Sequence, residues 1–423
     1  IPLFTRASAA LGPAPSILVK SSALAAFGSS LVSSLATFST LGSSFLASLL
    51  SSCSTGELFF ENLQPQFNGK VLIIGAGAAG ITAAYILQKH NIDFQIIEAS
   101  GSFGGRVKKI EGFADFPIDL GGEWIHTDPS ILSQLLNNQS TDVDIDIVNY
   151  RPKTISIWRN DRLRKINFTS HFYREYKFKN TTWFGFFEQF MVPTIADKME
   201  FNKVVNGIDY RGDKVSVRTN QGEVYEADRV LVTVPIKILQ NEMIEFNPAW
   251  PQEKVAALEE VDMPAGLKVF MHFSERFYPD IIIEGVSTST EKTYYDAAFG
   301  KDSSEAVLGL FSAGPLAKRY TDLGSDEKII EVVLEELDTM FEGKASKFLI
   351  KAVVQNWSAE PYIQGSYSHY GGNFTSTMET LMEPLERKVY FAGEAFNPGG
   401  DTSTVHGAAE SAYWVLKDML QLA

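Results

Sequence analysis

Three glycines close a short apolar run in VLIIGAGAAG, Val71 to Gly80, at the spacing G-x-G-x-x-G. These residue types suit phosphate chemistry. Gly75 permits a tight turn, Gly77 lets the backbone approach a pyrophosphate, and Gly80 lets a following helix pack closely on the strand. Glu98 comes about 20 residues later, at the end of a second apolar run, where a carboxylate accepts hydrogen bonds from ribose hydroxyls. Gly104-Gly105-Arg106 then bring bare backbone and a planar guanidinium toward the same phosphates. A second candidate is Lys268, a lone cation inside the apolar stretch GLKVFMHF, Gly266 to Phe273. Such a lysine either has a buried partner or reaches solvent from an edge strand.

The elements that position these residues follow from the same sequence. Lys70–Ile74 is a continuous apolar run, as strands of a parallel sheet are. Ile81–His90 is rich in helix formers, and Asp93–Ile97 is a strand that delivers Glu98. Val204–Ile208 and DKVSVRTNQGEVYEADRVLVTVP read as further strands, with a turn at Asn220-Gln221-Gly222. Pro248-Ala249-Trp250-Pro251 breaks the chain before a short helix ending near Glu260. Period-2 alternation puts Leu267, Val269, Met271 and Phe273 on one face of their strand, with Lys268, Phe270 and His272 on the other. Near the C-terminus Val389–Ala392 is a strand ending in Gly393-Glu394. STVHGAAESA, Ser403 to Ala412, opens a helix with a Ser/Thr cap.

The totals narrow the function. The chain has 423 residues, room for two or three domains, and a formal net charge of −14. That balance argues against nucleic acid, which rewards basic grooves, and suits a cationic ligand. The single cysteine, Cys53, excludes an internal disulfide framework and any cysteine-built metal centre. The six histidines lack metal-motif spacing, so no metal site is expected. Ser21–Cys53 carries no charged residue and ends in Leu50-Ser51-Ser52-Cys53. It reads as a cleaved export signal with a lipobox, giving a periplasmic or membrane-anchored lipoprotein. The alternatives are a Ser/Ala-rich helix pair, leaving the protein cytoplasmic, and a membrane-associating anchor.

The run E-A-S-x-x-x-G-G-R, followed by DLGGEWIH (Asp119 to His126), resembles the flavin-containing amine oxidase family, its monoamine and polyamine oxidases and their bacterial relatives. Nicotinamide dehydrogenases do not carry the second glycine pair and arginine, so the resemblance implies FAD. It implies cofactor contacts from Gly75, Gly77, Ala79, Gly80, Glu98, Ala99, Gly105, Arg106, Gly121, Gly122, Glu123, Trp124, Val205, Trp357, Gly393, Glu394, Thr404 and Val405. It places Lys268 at flavin N5 through a water. It also makes Tyr367 one wall of an aromatic cage, with Thr404 at the position of the second wall and His126 lining the pocket. Tyr362, Tyr295 and Phe299 are candidates to complete that cage. The fold implied is α/β: a Rossmann-like FAD-binding domain of the three-layer glutathione-reductase type with an inserted α+β substrate domain. Residues 66–135, 201–257 and 360–423 are assigned to the first, 136–200 and 258–359 to the second, and 1–60 to a leader or N-terminal helices.

The sequence also departs from that pattern. Serine precedes Tyr367 where covalently flavinylated relatives have cysteine, so FAD is expected to be noncovalent. Between His126 and Phe201 the chain has only some seventy residues where the family carries a long helical stretch, so the lid is either truncated or in part missing from the sequence; the stretch contains WFGFFEQFMVP, Trp183 to Pro193. These aromatics are core under a complete lid, or an exposed patch for a partner or membrane without one. No arginine follows Gly121-Gly122, which favours amines over amino acids. The expected activity is oxidation of an amine C–N bond to imine and aldehyde, with dioxygen as acceptor and hydrogen peroxide as product. The alternatives are a related desaturase or isomerase acting on an apolar substrate, and a flavin-bearing module without catalysis.

Overall fold

A computed structural model describes residues 63, 65–136, 145–166, 175–286 and 290–421. The segment read as a leader, Cys53 included, lies outside the described residues. Five parallel strands form the first sheet, in the order Val389–Phe391, Arg229–Val232, Lys70–Ile74, Asp93–Ile97, Met199–Glu200. Both its faces are covered, which is why its strands are apolar throughout. Val71 and Ile73 face the helices Ala78–Lys89 and Val405–Gln421. Leu72, Ile74, Val230 and Val232 face a four-stranded sheet built on Val205–Asp209. Helices, parallel sheet and four-stranded sheet make the three layers of a Rossmann-like α/β domain.

A seven-stranded sheet runs in the order Leu349–Asn356, Gly266–Phe273, Ala306–Ala313, Glu291–Asp296, Ile281–Val286, Ile155–Arg159, Arg162–Ile166. Leu267, Val269, Met271 and Phe273 pack on helix Asp326–Phe341. Phe270 packs on the opposite face with Tyr295, Phe116 and Leu120. Gly266–Phe273 is therefore an interior strand, paired on both sides. Lys268 is buried, which overturns the edge-strand alternative.

Between residues 136 and 200 the described residues form short strands and one helix. Ile147–Tyr150 pairs antiparallel with Glu175–Phe178, and Tyr176 in turn bridges Ile125. Helix Trp183–Phe190 starts at Thr182, whose hydroxyl accepts from Gly185 N at 2.9 Å. Trp183, Phe186, Phe187 and Met191 are fully buried against the layer that holds Ala78–Lys89. The exposed-patch reading of this stretch is thereby corrected: the apolar face of the helix closes the nucleotide domain's own core. Among the described residues no helix is long and apolar enough to cross a membrane.

Trp183 makes edge contacts with Phe178 and Phe186, and its indole N–H donates to Trp124 O at 3.3 Å. Replacing it with alanine (W183A) should destabilise the protein by about 3–5 kcal/mol in denaturant unfolding. A loss well under 1 kcal/mol would contradict a core role.

Candidate functional site

The site is two adjoining cavities that share Arg106, Gly122, Trp357, Ser366, Tyr367, Ser403, Thr404 and Val405. The first follows the parallel strands' C-terminal ends, where open α/β sheets bind ligands. Gly75 has φ +106°, and its N–H donates to Ile97 O. A Cβ on Gly80 would lie 2.0 Å from Gly75 O, so helix and turn touch there. A Cβ on Gly77 would meet nothing nearer than Gly104 O at 3.9 Å, which leaves that backbone bare toward the cavity. Gly104 N donates to Ala76 O, tying the two glycine turns together.

Glu98 ends its strand facing this cavity, and its carboxylate accepts from Ala76 N at 2.7 Å, Ser100 N at 2.8 Å and Ser100 Oγ at 2.7 Å. Ala79, Ala99, Gly105 and Val205 line the same cavity. At the other end Glu394 accepts from Arg106 Nη1 at 2.8 Å, Ser368 Oγ at 2.6 Å and Ser403 N at 3.1 Å. Arg106 therefore holds an acid and the Ser366 carbonyl, tying together three segments remote in sequence. Thr404 Oγ1 accepts from Gly407 N at 2.9 Å and donates to Asp401 O at 2.9 Å. That hydroxyl caps the helix beginning at Val405, whose N-terminal dipole favours negative charge in the cavity. Thr404 supplies a cap here and no second aromatic wall.

The second cavity is lined by Gly121, Gly122, Glu123, Trp124, His126, Lys268 and Tyr367, all anticipated, and by Glu175, Glu291 and Phe311, which were not. Lys268 Nζ donates to Glu123 Oε2 at 2.7 Å and to Asp119 O at 3.2 Å. Glu123 Oε1 lies 2.6 Å from Lys177 Nζ, and the Tyr295 hydroxyl donates to Glu123 Oε2. Burial opposes the ionisation of Glu123, but the two ammoniums outweigh it and hold its carboxyl down to about 2. Asp119 goes the other way. Burial and the charge on Glu123 push it well above the carboxylate range. The Glu123 side chain thus serves Lys268 and Lys177, and only the remainder of the residue is left to face a cofactor.

His126 Nδ1 sits 2.7 Å from Glu175 Oε2. Phe311 lies parallel to Tyr367, with ring centroids 6.2 Å apart and planes at 23°. It is the aromatic neighbour that sequence reasoning sought elsewhere. Tyr295 lies behind Trp124 with its hydroxyl on Glu123, Phe299 packs on Tyr150, and Tyr362 lines the first cavity. Trp357 Nε1 donates to Leu120 O at 3.1 Å between the two cavities. The one signal for Glu175 and Lys177 was their spacing in EYKF, two charges on one face of a short aromatic strand. Among the described residues no group of three His, Cys, Asp or Glu side chains could hold a metal.

A sequence profile described as flavin containing amine oxidoreductase matches residues 190–415, more than half of the chain. The chain belongs to that family. A second profile, an NAD(P)-binding Rossmann-like domain, matches residues 73–138. Polyamine oxidase 3 of Oryza sativa subsp. japonica is 25% identical over 425 residues, covering 80% of this chain and 86% of the relative. Lysine-specific histone demethylase 1B of Mus musculus is 24% identical, covering 78% of this chain and 50% of the relative. In fold the chain is similar to a putrescine oxidase solved with putrescine. There the TM-score is 0.69 and identity 14%, covering 84% of this chain and 100% of the other.

The donor set fits a flavin dinucleotide: two bare glycine turns for the phosphates, an acid at the ribose end and a helix N-terminus at the other. Gly77→Ala should keep the fold and lose bound flavin, because its methyl enters open cavity. Gly80→Ala should cost about 1–3 kcal/mol of stability, because its methyl meets backbone. Thermal melting and the flavin absorbance of the purified variants check both, and equal effects from the two would contradict the assignment.

Proposed function

We propose that this oxidoreductase uses noncovalently bound FAD to oxidise a C–N bond of an amine carrying a second cationic group, with dioxygen as acceptor. The observation that carries the reading is Lys268, buried on an interior strand, held by Glu123 and opening on the cavity lined by Tyr367. For a primary amine the balance is R–CH2–NH2 + O2 + H2O giving R–CHO + NH3 + H2O2. The flavin, when bound, supplies the two-electron acceptor chemistry. The protein's part is orientation, desolvation and charge.

Tyr367 and Phe311 provide apolar surface for the carbon chain. Burial raises the Tyr367 hydroxyl well above its ordinary value, so it stays neutral beside the substrate. Glu175, held by His126, and Glu291 add two carboxyl groups to the lining, which favours a cationic substrate over an apolar one. The amine reacts without its proton, so turnover should rise with pH as the bound amine deprotonates. The family's relatives named polyamine oxidase, and the fold neighbour named putrescine oxidase, agree with a diamine or polyamine. Two acids in the lining suit an apolar desaturase substrate poorly. Ser366 stands before Tyr367, and the sole cysteine is Cys53, so the reading includes no thioether to flavin.

Peroxide release from a panel of monoamines, diamines and polyamines tests the activity. Glu175→Gln should raise KM for a diamine about tenfold while changing KM for an apolar monoamine less than about threefold. No peroxide from any amine, with the flavin unbleached under nitrogen, would contradict the reading.

A further inference from the structure

We propose that Lys177 is a positioning residue for Lys268, acting through Glu123, and that the strand Glu175–Phe178 supplies it. The inference rests on the reading of Lys268 as the flavin-side lysine.

Glu123 is gripped at both oxygens. Oε2 takes Lys268 and Tyr295, and Oε1 takes Lys177. The Lys177 contact is short but off hydrogen-bond alignment, so its attraction is mainly ionic. Lys177 cannot drift from this place. Its ammonium lies 4.9 Å from the centroid of the Trp124 ring, 5.1 Å from that of Tyr295 and 5.5 Å from that of Tyr150, and its side chain is 2% exposed. The backbone sets the register: Ile125 N donates to Tyr176 O at 2.8 Å, laying the strand Glu175–Phe178 beside the Asp119–His126 segment. Lys268 has three donors, of which Glu123 and Asp119 O take two, leaving one N–H for the cavity it lines. Its direction therefore depends on where Glu123 sits, and Lys177 fixes one of that carboxylate's two oxygens.

The surrounding charges agree with this role. Lys301 Nζ donates to the carbonyls of Phe178 and Lys179 at 3.1 and 3.2 Å, at the end of the same strand. Two ammoniums share the Glu123 carboxylate, so the cluster carries buried positive charge next to the cavity.

Sulfite, an anion that adds to flavin N5 and bleaches its visible band, is the probe, titrated into the flavin-loaded full chain. Lys268→Met should weaken sulfite binding at least about tenfold, and Lys177→Met should do the same although its side chain lies outside that cavity. The double variant should bind within about threefold of Lys268→Met alone, since both act at one ammonium. Lys177→Arg, which keeps the charge among the rings, should recover most of the affinity. Flavin content and melting temperature, measured alongside, identify variants that have merely lost their fold. If Lys177→Met does not accumulate as yellow protein, Lys177→Gln takes its place with a smaller loss expected. Wild-type sulfite affinity in the Lys177 variants with loss in Lys268→Met overturns the proposal alone, as do additive effects. Wild-type affinity in Lys268→Met overturns the reading of Lys268 and the proposal with it.

Discussion

The Glu123 carboxylate, ionised in the interior between two lysine ammoniums, is the interaction on which the rest of the site depends. It joins the Asp119–His126 segment, the interior strand carrying Lys268, the strand carrying Lys177 and the strand carrying Tyr295. Loss of that carboxylate would leave two buried ammoniums without their counter-charge, at a cost of about 3–5 kcal/mol. The cluster is thus a constraint on shape as well as a charge arrangement. Nucleotide domain and seven-stranded sheet meet where it forms, and that meeting is where the two cavities join.

Around that centre the structure uses ordinary devices. Bare glycine backbone and a capped helix face the first cavity, and Thr404 makes the cap by bonding Gly407 N. Arg106 and Glu394 bond each other, drawing the early glycine turn and the late chain together. The second cavity pairs aromatic surface from Tyr367 and Phe311 with the carboxyl groups of Glu175 and Glu291.

Much of this was legible in the sequence, for local reasons. Lys70–Ile74 and Asp93–Ile97 appear as strands at the expected residues, because a continuous apolar run between turn residues has few other solutions. Glycine spacing located the two glycine turns, and the lysine in GLKVFMHF left a buried partner and an edge strand as the two solutions, of which the interior strand selects the first. That partner was not legible. Glu123 sits in a recognisable motif, but its carboxylate was assigned toward the cofactor, because only tertiary structure brings Lys177 and Lys268 to it. Phe311 was missed because it is one aromatic in an ordinary strand, made relevant by pairing beside Lys268. The aromatic stretch after Thr182 was ambiguous, since burial of Trp183 depends on a packing partner far away in sequence.

The most direct test of the central claim is a crystal structure of the flavin-loaded full chain. The account predicts the isoalloxazine ring where the two cavities meet, with Lys268 Nζ reaching N5 through a single water and Glu123 still between the two lysines. A ring bound elsewhere, or Lys268 turned from it with Glu123 released from Lys177, would contradict the account.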